Sequence, residues 1–402
     1  MLSFGVGCAG GDDRTDVGDL DVDHSVEIIS WWTGPGEVEA LRALIGVHED
    51  QNPESSVTDA ATESGRDARE LIAERFLEGN PPDVFQENVP DIPQFLQDNP
   101  GGLVPLDDLF EEQGWADDIW PEVMERITVD GHIYAMPVGV HRENSLIYNR
   151  ALFDEHELSP PTSLEELWEV CDAFKDAGVT PLATGGEGWI LRLMFHSIAL
   201  STMGGADYEV YFAGKGDRDD PELVAAIRNF DRILESYVGE GMLAEDFGWQ
   251  DAARAVHGGD AAMYFHGDWA AGYLQALGWK AGTDYGVVGS PGASEVFLLG
   301  VDAFAVPAEA SNMDGALEFL KTVGSEEGQV AFNNIKGSTP VRMDIAESDL
   351  SEVARNTHGD LSSAEIIINA PSWDDLDDAI LAFSLSGDEE ALVKYFQDTI
   401  YP

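Results

Sequence analysis

Two adjacent tryptophans, Trp31 and Trp32, follow the β-branched residues Val26, Ile28 and Ile29. They precede a Gly-Pro-Gly turn and an acidic residue, Glu37. In an open α/β lobe, ligands bind just beyond the carboxyl ends of the strands. An aromatic face packs against the C–H face of a sugar ring, and a carboxylate accepts hydrogen bonds from hydroxyls. The segment therefore favours a small polyhydroxylated ligand. Core packing of each Trp is an equal alternative, and neighbours in a strand point to opposite sides, so one of the two is expected to line a cleft.

Two charged residues stand out from their surroundings. Asp302 interrupts the apolar strand LLGVDAFAVP at residues 298–307. A buried carboxylate is costly unless it is paired, so ligand contact and structural pairing are both open. Lys336 is one of six lysines in a strongly acidic chain and lies in a Gly/Ser loop after a predicted helix. It either donates to ligand oxygens or is a surface charge.

Further polar and aromatic residues occupy the ends of predicted elements. Gln86 and Asn88 follow a short buried strand, and their amides both donate and accept hydrogen bonds, as hydroxyl recognition requires. Trp249 and Trp189 lie at helix starts, where they could line a pocket or staple the helix. His141 lies at a predicted crossing between lobes, where a structural hydrogen bond is the alternative to ligand binding.

Motifs for catalysis and for metal binding are scarce. The sequence contains no HExxH, CxxC, GxSxG or P-loop pattern, and its nine histidines lack metal-ligand spacing. We therefore predict no metal and no cofactor. Gly5-x-Gly7-x-x-Gly10 matches a dinucleotide-binding pattern, but no strand precedes it and no helix follows, so it is rejected. Carboxylate pairs say little about acid–base chemistry in a chain with 77 acidic residues.

The charge balance is extreme. The 402 residues include 77 Asp and Glu against 21 Lys and Arg, for a net charge of −56, yet 44% of residues are hydrophobic. Such charge excludes a nucleic-acid partner, which requires basic patches, and the length predicts two lobes. At about 1 M salt the Debye length is roughly 3 Å and the self-repulsion is screened. The composition therefore predicts a halophilic protein that loosens in dilute buffer.

The amino-terminal segment predicts export and anchoring. A short apolar stretch and small residues precede Cys8, and an acidic Gly/Asp tail follows, as in the end of a lipoprotein signal. Residues 1–23 are thus interpreted as a signal remnant with a lipidated Cys8 and a flexible tether, although only seven residues precede Cys8. No run of 18 apolar residues occurs, so a lipid anchor is the only predicted membrane attachment. Cys171, within a predicted helix, is expected to be buried.

Strand and helix patterns alternate along the chain. A helix is predicted near residues 37–49 and a strand at 56–61, and an Asp130-Gly131 turn predicts a hairpin. Thr162-x-x-Glu165 predicts a capping box at the start of a helix. The alternation is typical of an α/β fold.

The chain as a whole resembles the extracellular solute-binding proteins (family 1) of carbohydrate ABC transporters, most closely the glucose/galactose/mannose-binding group. The matching stretches cover nearly the whole mature chain: SWWTGPGE (30–37), PPDVFQEN (81–88), MPVGVHRENSLIYN (136–149), TPLATGGEGW (180–189), residues 249–269, LLGVDAFAVP (298–307) and FNNIKGSTPVR (332–342). The resemblance implies an α/β, type II periplasmic-binding-protein fold, with two α/β lobes, a central ligand cleft and several interlobe crossings. It places lobe one at 24–140 plus 296–340 and lobe two at 141–295 plus 341–402.

The resemblance also implies a site. Its ligand-binding residues would be Trp32, Glu37, Gln86, Asn88, Trp249, Asp302 and Lys336, with Trp31, His141 and Trp189 less secure. Relatives often carry His in place of Asn88, and Glu365 falls where a late His is usual, which leaves the identity of the sugar open.

The implied protein is not an enzyme. It would be a monomeric, lipid-anchored receptor on the extracellular face of the cell membrane, which closes on a monosaccharide, an aldohexose such as glucose, and delivers it to the permease subunits of an ABC transporter. The alternatives are a receptor for a disaccharide, polyol or other solute, a glycoside hydrolase or lyase, and a sensory domain.

Overall fold

The computed structural model describes residues 25–62, 64–369, 371, 373 and 375–402. Predictions for Cys8 and its tether lie outside these residues. The strands in this part of the chain are β1 (Ser25–Ile29), β2 (Ser56–Asp59), β3 (Val84–Asn88), β4 (Thr128–Val129), β5 (His132–Ile133), β6 (Met136–Arg142), β7 (Ser145–Asn149), β8 (Thr180–Ala183), β9 (Ala261–His266), β10 (Tyr285–Gly289), β11 (Val296–Ala305) and β12 (Ile366–Asn369).

The helices are interleaved with these strands, as the sequence pattern predicts. They are α1 (Glu37–Gln51), α2 (Gly65–Leu77), α3 (Ile92–Asp98), α4 (Asp107–Gln113), α5 (Pro121–Ile127), α6 (Arg150–Glu155), α7 (Leu164–Ala177), α8 (Gly188–Met203), α9 (Gly205–Phe212), α10 (Pro221–Ser236), α11 (Trp249–Gly258), α12 (Trp269–Ala276), α13 (Met313–Gly324), α14 (Glu326–Lys336), α15 (Glu352–Ser363), α16 (Leu376–Ser386) and α17 (Glu389–Ile400).

The first lobe is built on a six-stranded sheet. Its strand order is β12-β11-β3-β1-β2, and β6 also pairs with β11. β1 runs parallel to β2 and β3, whereas β11 is antiparallel to β3 and β6. Because β1 and β3 are parallel and adjacent, their carboxyl ends bring the segment after Ile29 beside Asn88. This edge is where the sequence predicts a ligand.

The second lobe is built on a four-stranded sheet in the order β10-β7-β9-β8. Helices α7, α8, α10, α16 and α17 contribute most of the apolar residues on one side of this sheet. Helices α11 and α12 pack on its other side, around Ile147 and Tyr264. Cys171 of α7 is fully buried in the larger cluster, as predicted, and burial raises the pKa of its thiol.

Strand β11 belongs to both lobes. All ten of its residues are buried. Val296 and Leu298 pack in the core of the second lobe, whereas Phe297 and Val301 pack in the core of the first. Side chains alternate along a strand, so the two faces at the start of β11 contact the two cores. The chain therefore crosses between the lobes as a strand that pairs with β12, β3 and β6.

Several local predictions are confirmed and two are wrong. The hairpin forms at Asp130 and Gly131, which both have positive φ, 52° and 87°. The cap of α7 is Ser163, not Thr162: Ser163 accepts from the N–H of Glu166, and the Glu166 carboxylate accepts from the N–H of Thr162. The capping box was thus predicted one residue too early, because adjacent Thr and Ser both fit the pattern.

Lys336 is not in a loop. It is the last residue of α14, and only 3% of its surface is exposed. Gly337 follows in the left-handed conformation, φ 86°, that ends many helices. The loop was predicted because Gly and Ser residues follow the lysine directly.

Helix α12 approaches the start of α1 and the end of α14 very closely. A Cβ atom on Gly272 would lie 2.3 Å from the carbonyl oxygen of Lys336, and one on Gly36 would lie 3.0 Å from the carbonyl oxygen of Gly272. Neither contact leaves room for a methyl group, because both partners are backbone atoms. The two glycines thus allow an element of the second lobe to touch the first lobe beside Glu37 and Lys336.

We expect Gly272→Ala to lower the free energy of unfolding by about 1–3 kcal/mol, since the added methyl group overpacks this contact. Gly46→Ala in α1 is the matched control: nothing lies within 4 Å of its Cβ position, and the change should stabilise the helix by up to about 1 kcal/mol. Urea unfolding at molar salt measures both. Equal midpoints for the two variants would contradict the close contact.

Candidate functional site

A chain of three buried side chains lies at the boundary of the lobes. Nδ1 of His141 is 2.6 Å from Oδ1 of Asp268, and Nε2 of His141 is 3.2 Å from Oδ2 of Asp302. Asp302 is placed by β11, His141 by β6, and Asp268 by the turn between β9 and α12. The pairing of β6 and β11 shifts register after Asp302. A bulge at this point re-aims the side chain, as bulges next to binding sites do.

His141 and the two carboxylates stabilise one another's charged forms. Burial lowers the pKa of His141, but the charge of Asp268 and the hydrogen bonds to both carboxylates outweigh it and leave the His141 pKa above its ordinary value. Burial raises the pKa of Asp302, but the bond to His141, the His141 charge and Lys336 outweigh it and hold the Asp302 pKa below its ordinary value. The imidazolium–carboxylate form is thus the favoured one.

These directions predict how His141 contributes to stability. Because its folded pKa is raised, the contribution is complete below the ordinary value of 6.5 and is lost as pH rises through the folded pKa. Because the folded pKa of Asp302 is lowered, Asp302 contributes fully to stability above pH 3.8, and this contribution is lost as pH falls through the folded pKa. The difference in unfolding free energy between wild type and His141→Gln should be largest between these two values. Denaturant titrations at a series of pH values measure it.

The matched control is His132→Gln. His132 is an exposed histidine that faces Asp107 at 3.2 Å. Exposed pairs contribute little, so this variant should follow the wild type throughout. A His141→Gln difference that is flat with pH would contradict the charged pairing.

Lys336 and Glu37 form a second charged pair beside the first. Lys336 Nζ is 3.3 Å from Glu37 Oε1, and Glu37 Oε2 accepts from the N–H of Gly34 at 3.2 Å. Burial raises the pKa of Glu37 even though Lys336 opposes the shift. Lys336 Nζ also lies 5.9 Å from the ring centres of Trp32 and Trp269, which stabilises the ammonium group.

Aromatic rings of the second lobe form a wall next to these charges. The Trp269 ring packs edge to face on His141, with ring centres 5.2 Å apart. It is tilted against the Trp189 ring, with ring centres 6.4 Å apart. Both Trp rings are half-buried, whereas Trp249 is 8% exposed and stacks on the buried His266 at 5.5 Å. Trp189 and Trp269 are thus partly accessible beside His141, whereas Trp249 is packed against His266.

Amide groups of β3 complete the first-lobe side. The side-chain amide of Asn88 is oriented so that both its nitrogen and its oxygen have hydrogen-bond partners. The nitrogen donates to Asp302 Oδ1 at 3.2 Å and the oxygen accepts from Arg69 at 3.0 Å. Gln86 is fully buried and accepts from the backbone N–H of Trp31 at 3.1 Å. The half-buried Trp31 lies under the Arg69 guanidinium, 4.9 Å from ring centre to Cζ.

The two remaining predicted residues are Trp32, which borders this cluster, and Glu365, which does not. Trp32 is 1% exposed and packs on Phe304 and Phe332 in the core, and its ring centre lies 5.9 Å from Lys336 Nζ. Glu365 is exposed before β12, where its N–H donates to the carbonyl of Glu295. None of its described contacts joins it to the cluster.

Asp268 and Trp269 are site residues that were not among the predicted ones. The signal for them is present in the sequence: His266-Gly267-Asp268-Trp269 follows a buried strand, as Trp31–Trp32 follows β1. Applying the strand-end argument to β9 would have found both residues. In the described part of the chain, no group of three or more His, Cys, Asp or Glu side chains is arranged to hold a metal ion.

Comparison with known proteins places this geometry in a family. The family of bacterial extracellular solute-binding proteins matches residues 67–358. The chain belongs to this family. An uncharacterised ABC transporter extracellular-binding protein of Pyrococcus horikoshii is 32% identical over 85% of this chain and 77% of its own length. A probable sugar-binding periplasmic protein of Brucella melitensis is 30% identical over 85% and 80%. The xylose/arabinose-binding protein XacG of Haloferax volcanii is 28% identical over 85% and 75%.

Solved structures of solute receptors have the same fold. The bacterial solute receptor AcbH, described as exclusive for β-D-galactopyranose, superimposes with a TM-score of 0.80 at 17% identity, over 94% of this chain and 97% of its own. The predicted two-lobe periplasmic-binding-protein fold is therefore confirmed. Among the described helices, none combines the length and apolarity that a membrane crossing requires.

Proposed function

We propose that this solute-binding protein is the sugar receptor of an ABC importer. It captures a monosaccharide, an aldohexose such as glucose, between its lobes and delivers it to a membrane permease. The observation that carries the proposal is the buried band of charged groups at the lobe boundary, Glu37, Lys336, Asp302 and His141, beside the ring faces of Trp189 and Trp269. Carboxylates, an ammonium group and aromatic faces together match the hydroxyls and C–H faces of a sugar ring.

Closure of the lobes on the ligand is the proposed mechanism. A sugar that touches both walls stabilises the closed form by the difference in its affinity for the two forms. Hinge closure around ligands is general for periplasmic binding proteins. Each hydroxyl that loses water needs a partner in the cleft, and the charged groups supply strong ones.

The proposed lobes are residues 24–140 plus 296–340 and residues 141–295 plus 341–402. Support comes from the apolar clusters, since most members of the first core come from residues 26–140 and 297–332. Val341 and Leu361 also pack in that core, whereas Val353 between them packs with residues of α11 and α12. This segment thus contacts both lobes and is a candidate for part of the hinge.

The relatives support a sugar as the ligand. Named relatives bind sugars, and the neighbour AcbH is described as specific for a galactopyranose. A disaccharide, a polyol or a pentose is the second candidate, since XacG is named for xylose and arabinose. Lipid anchoring through Cys8 on the extracellular face and a monomeric state remain part of the proposal, and mass spectrometry of the native membrane-bound protein tests the anchor.

The deciding experiment is a titration of intrinsic Trp fluorescence at molar salt with monosaccharides, disaccharides and polyols. The expected result is a saturable change with one hexose and no conversion of that hexose. Silence across the panel from a folded sample would overturn sugar capture. Release of product from an aryl glycoside would support a glycoside-cleaving enzyme instead.

A further inference from the structure

The segment from His141 to Asn144 directs alternate side chains in opposite directions. Arg142 donates to the carbonyl of Val296 at 2.8 Å, and Asn144 donates to the same oxygen at 3.0 Å. Asn144 also accepts from the N–H of Leu298. These two side chains thus fasten the crossing to β11 and have their hydrogen-bond partners within the protein.

Glu143 lies on the other side, with the ligand-facing residues. Its N–H donates to the carbonyl of Leu298 at 2.9 Å. A Cβ atom on Gly300 would lie 2.7 Å from Glu143 Oε1, so the carboxylate occupies the space that a side chain at position 300 would fill. Gly300 pairs with His141 and is two residues from Asp302 on the same strand face.

The Glu143 carboxylate is incompletely paired. Its Oε2 is buried and has no hydrogen-bond partner among the described residues. The cation facing it is Arg192, whose Nη1 is 3.8 Å away, beyond hydrogen-bond distance. Arg192 itself donates through Nε to Asp377 at 2.7 Å. A buried acceptor without a donor is costly and requires an explanation.

Electrostatics agree with this geometry. Burial raises the pKa of Glu143, Arg192 and His141 oppose the shift, and the nearby charges of Asp302 and Asp268 add to it. The carboxylate therefore interacts electrostatically with the His141–Asp302 pair. Arg192 is three residues after Trp189 on α8, so it lies on the same helix face as that ring.

We propose that Glu143 and Arg192 form a second polar pole of the cleft, which binds one hydroxyl of a neutral sugar. The hydroxyl donates to Glu143 Oε2 and accepts from Arg192, because a hydroxyl performs both roles at once. The pole rests on the proposed function of sugar capture and adds a specificity determinant. A sugar without that hydroxyl leaves the carboxylate unpaired, and an acid sugar places two carboxylates together.

The test compares wild type and Glu143→Gln by calorimetric titration with the bound sugar and its single-deoxy analogues. One analogue should bind the wild type at least about tenfold more weakly, the loss typical of a hydrogen bond to a charged group. Glu143→Gln should lose a similar factor for the parent sugar and, for that one analogue, match the wild type within about twofold. This cancellation is specific to direct contact, since a purely structural role would weaken all ligands alike.

Asp360→Asn is the matched control. Asp360 of α15 pairs with Arg142 at 2.8 Å, so this variant removes a carboxylate that binds the same crossing without changing Glu143 or Arg192. Asp360→Asn should bind the parent sugar and each deoxy analogue with the same relative affinities as the wild type. If Glu143→Gln fails to fold, Arg192→Lys should show the same loss confined to one hydroxyl. Wild type that binds no sugar defeats the proposed function, whereas sugar binding unchanged in Glu143→Gln, or an equal loss for all analogues, defeats only the pole.

Discussion

Replacing Lys336 with Met should weaken sugar binding at least about tenfold, the effect expected when a charged hydrogen-bond donor is lost. Lys336 is 3% exposed, its Nζ lies 3.3 Å from Glu37, and it is 5.9 Å from the ring centres of both Trp32 and Trp269. Met keeps the length of the side chain and removes the charge. Asp302→Ala should weaken binding to a similar extent. Titration calorimetry at molar salt measures both constants.

Lys336→Met should also destabilise the protein, because it leaves Glu37 buried without its cation. Breaking a buried pair in this way typically costs about 3–5 kcal/mol. Since burial already raises the pKa of Glu37, the loss should grow as pH rises and the carboxyl is forced to ionise. The double variant Glu37→Gln/Lys336→Met separates the two effects: stability should return, and affinity should not. Recovery of affinity in the double variant would remove Lys336 from the binding site.

Transfer from molar salt to dilute buffer should lower the melting temperature by about 10 °C or more, since screening of the net charge is lost. The described charges are arranged unevenly: most cations are engaged with carboxylates, and 77 acidic residues face 21 basic ones. Repulsion between the excess carboxylates therefore acts on the whole molecule. Calorimetry at KCl concentrations from about 0.1 M to about 3 M measures the melting temperature. The Debye length is about 10 Å at the lower concentration and falls as salt is added.

The control for this prediction is the same measurement at low pH. Near the isoelectric point of about 4.1 the net charge vanishes, so the melting temperature should depend much less on salt there. Sucrose stabilises by exclusion from the protein surface, so its effect should differ much less between neutral pH and the isoelectric point than the effect of salt. A melting temperature independent of salt at neutral pH would contradict the halophilic interpretation.

Local patterns in the sequence were sufficient to predict helices, strands and some of the residues at their ends. Trp249 opens α11 and Asp302 lies within a buried strand, as predicted, because apolar runs and helix starts are encoded by neighbouring residues. The hairpin at Asp130 and Gly131 follows for the same reason.

Pairings between distant residues could not be predicted in this way. His141 and Asp302 are 161 positions apart, and nothing in their spacing indicates that they meet. Lys336 was expected in a loop because the residues after it favour turns, whereas its burial depends on Glu37 and Trp269 from other elements. The resemblance to a family supplied the candidate list, and the geometry separates Glu365 from the rest.

The shared strand β11 has a consequence for how this protein can be altered. At its start, Val296 and Leu298 pack in one core and Phe297 and Leu299 in the other, so neither lobe is a contiguous piece of chain that could be excised or expressed alone. Exchange of a lobe with a relative would require several simultaneous junctions, one of them within a strand whose two faces must suit different neighbours. Changes in ligand preference are therefore more accessible through single side chains at the cleft than through exchange of lobes between relatives.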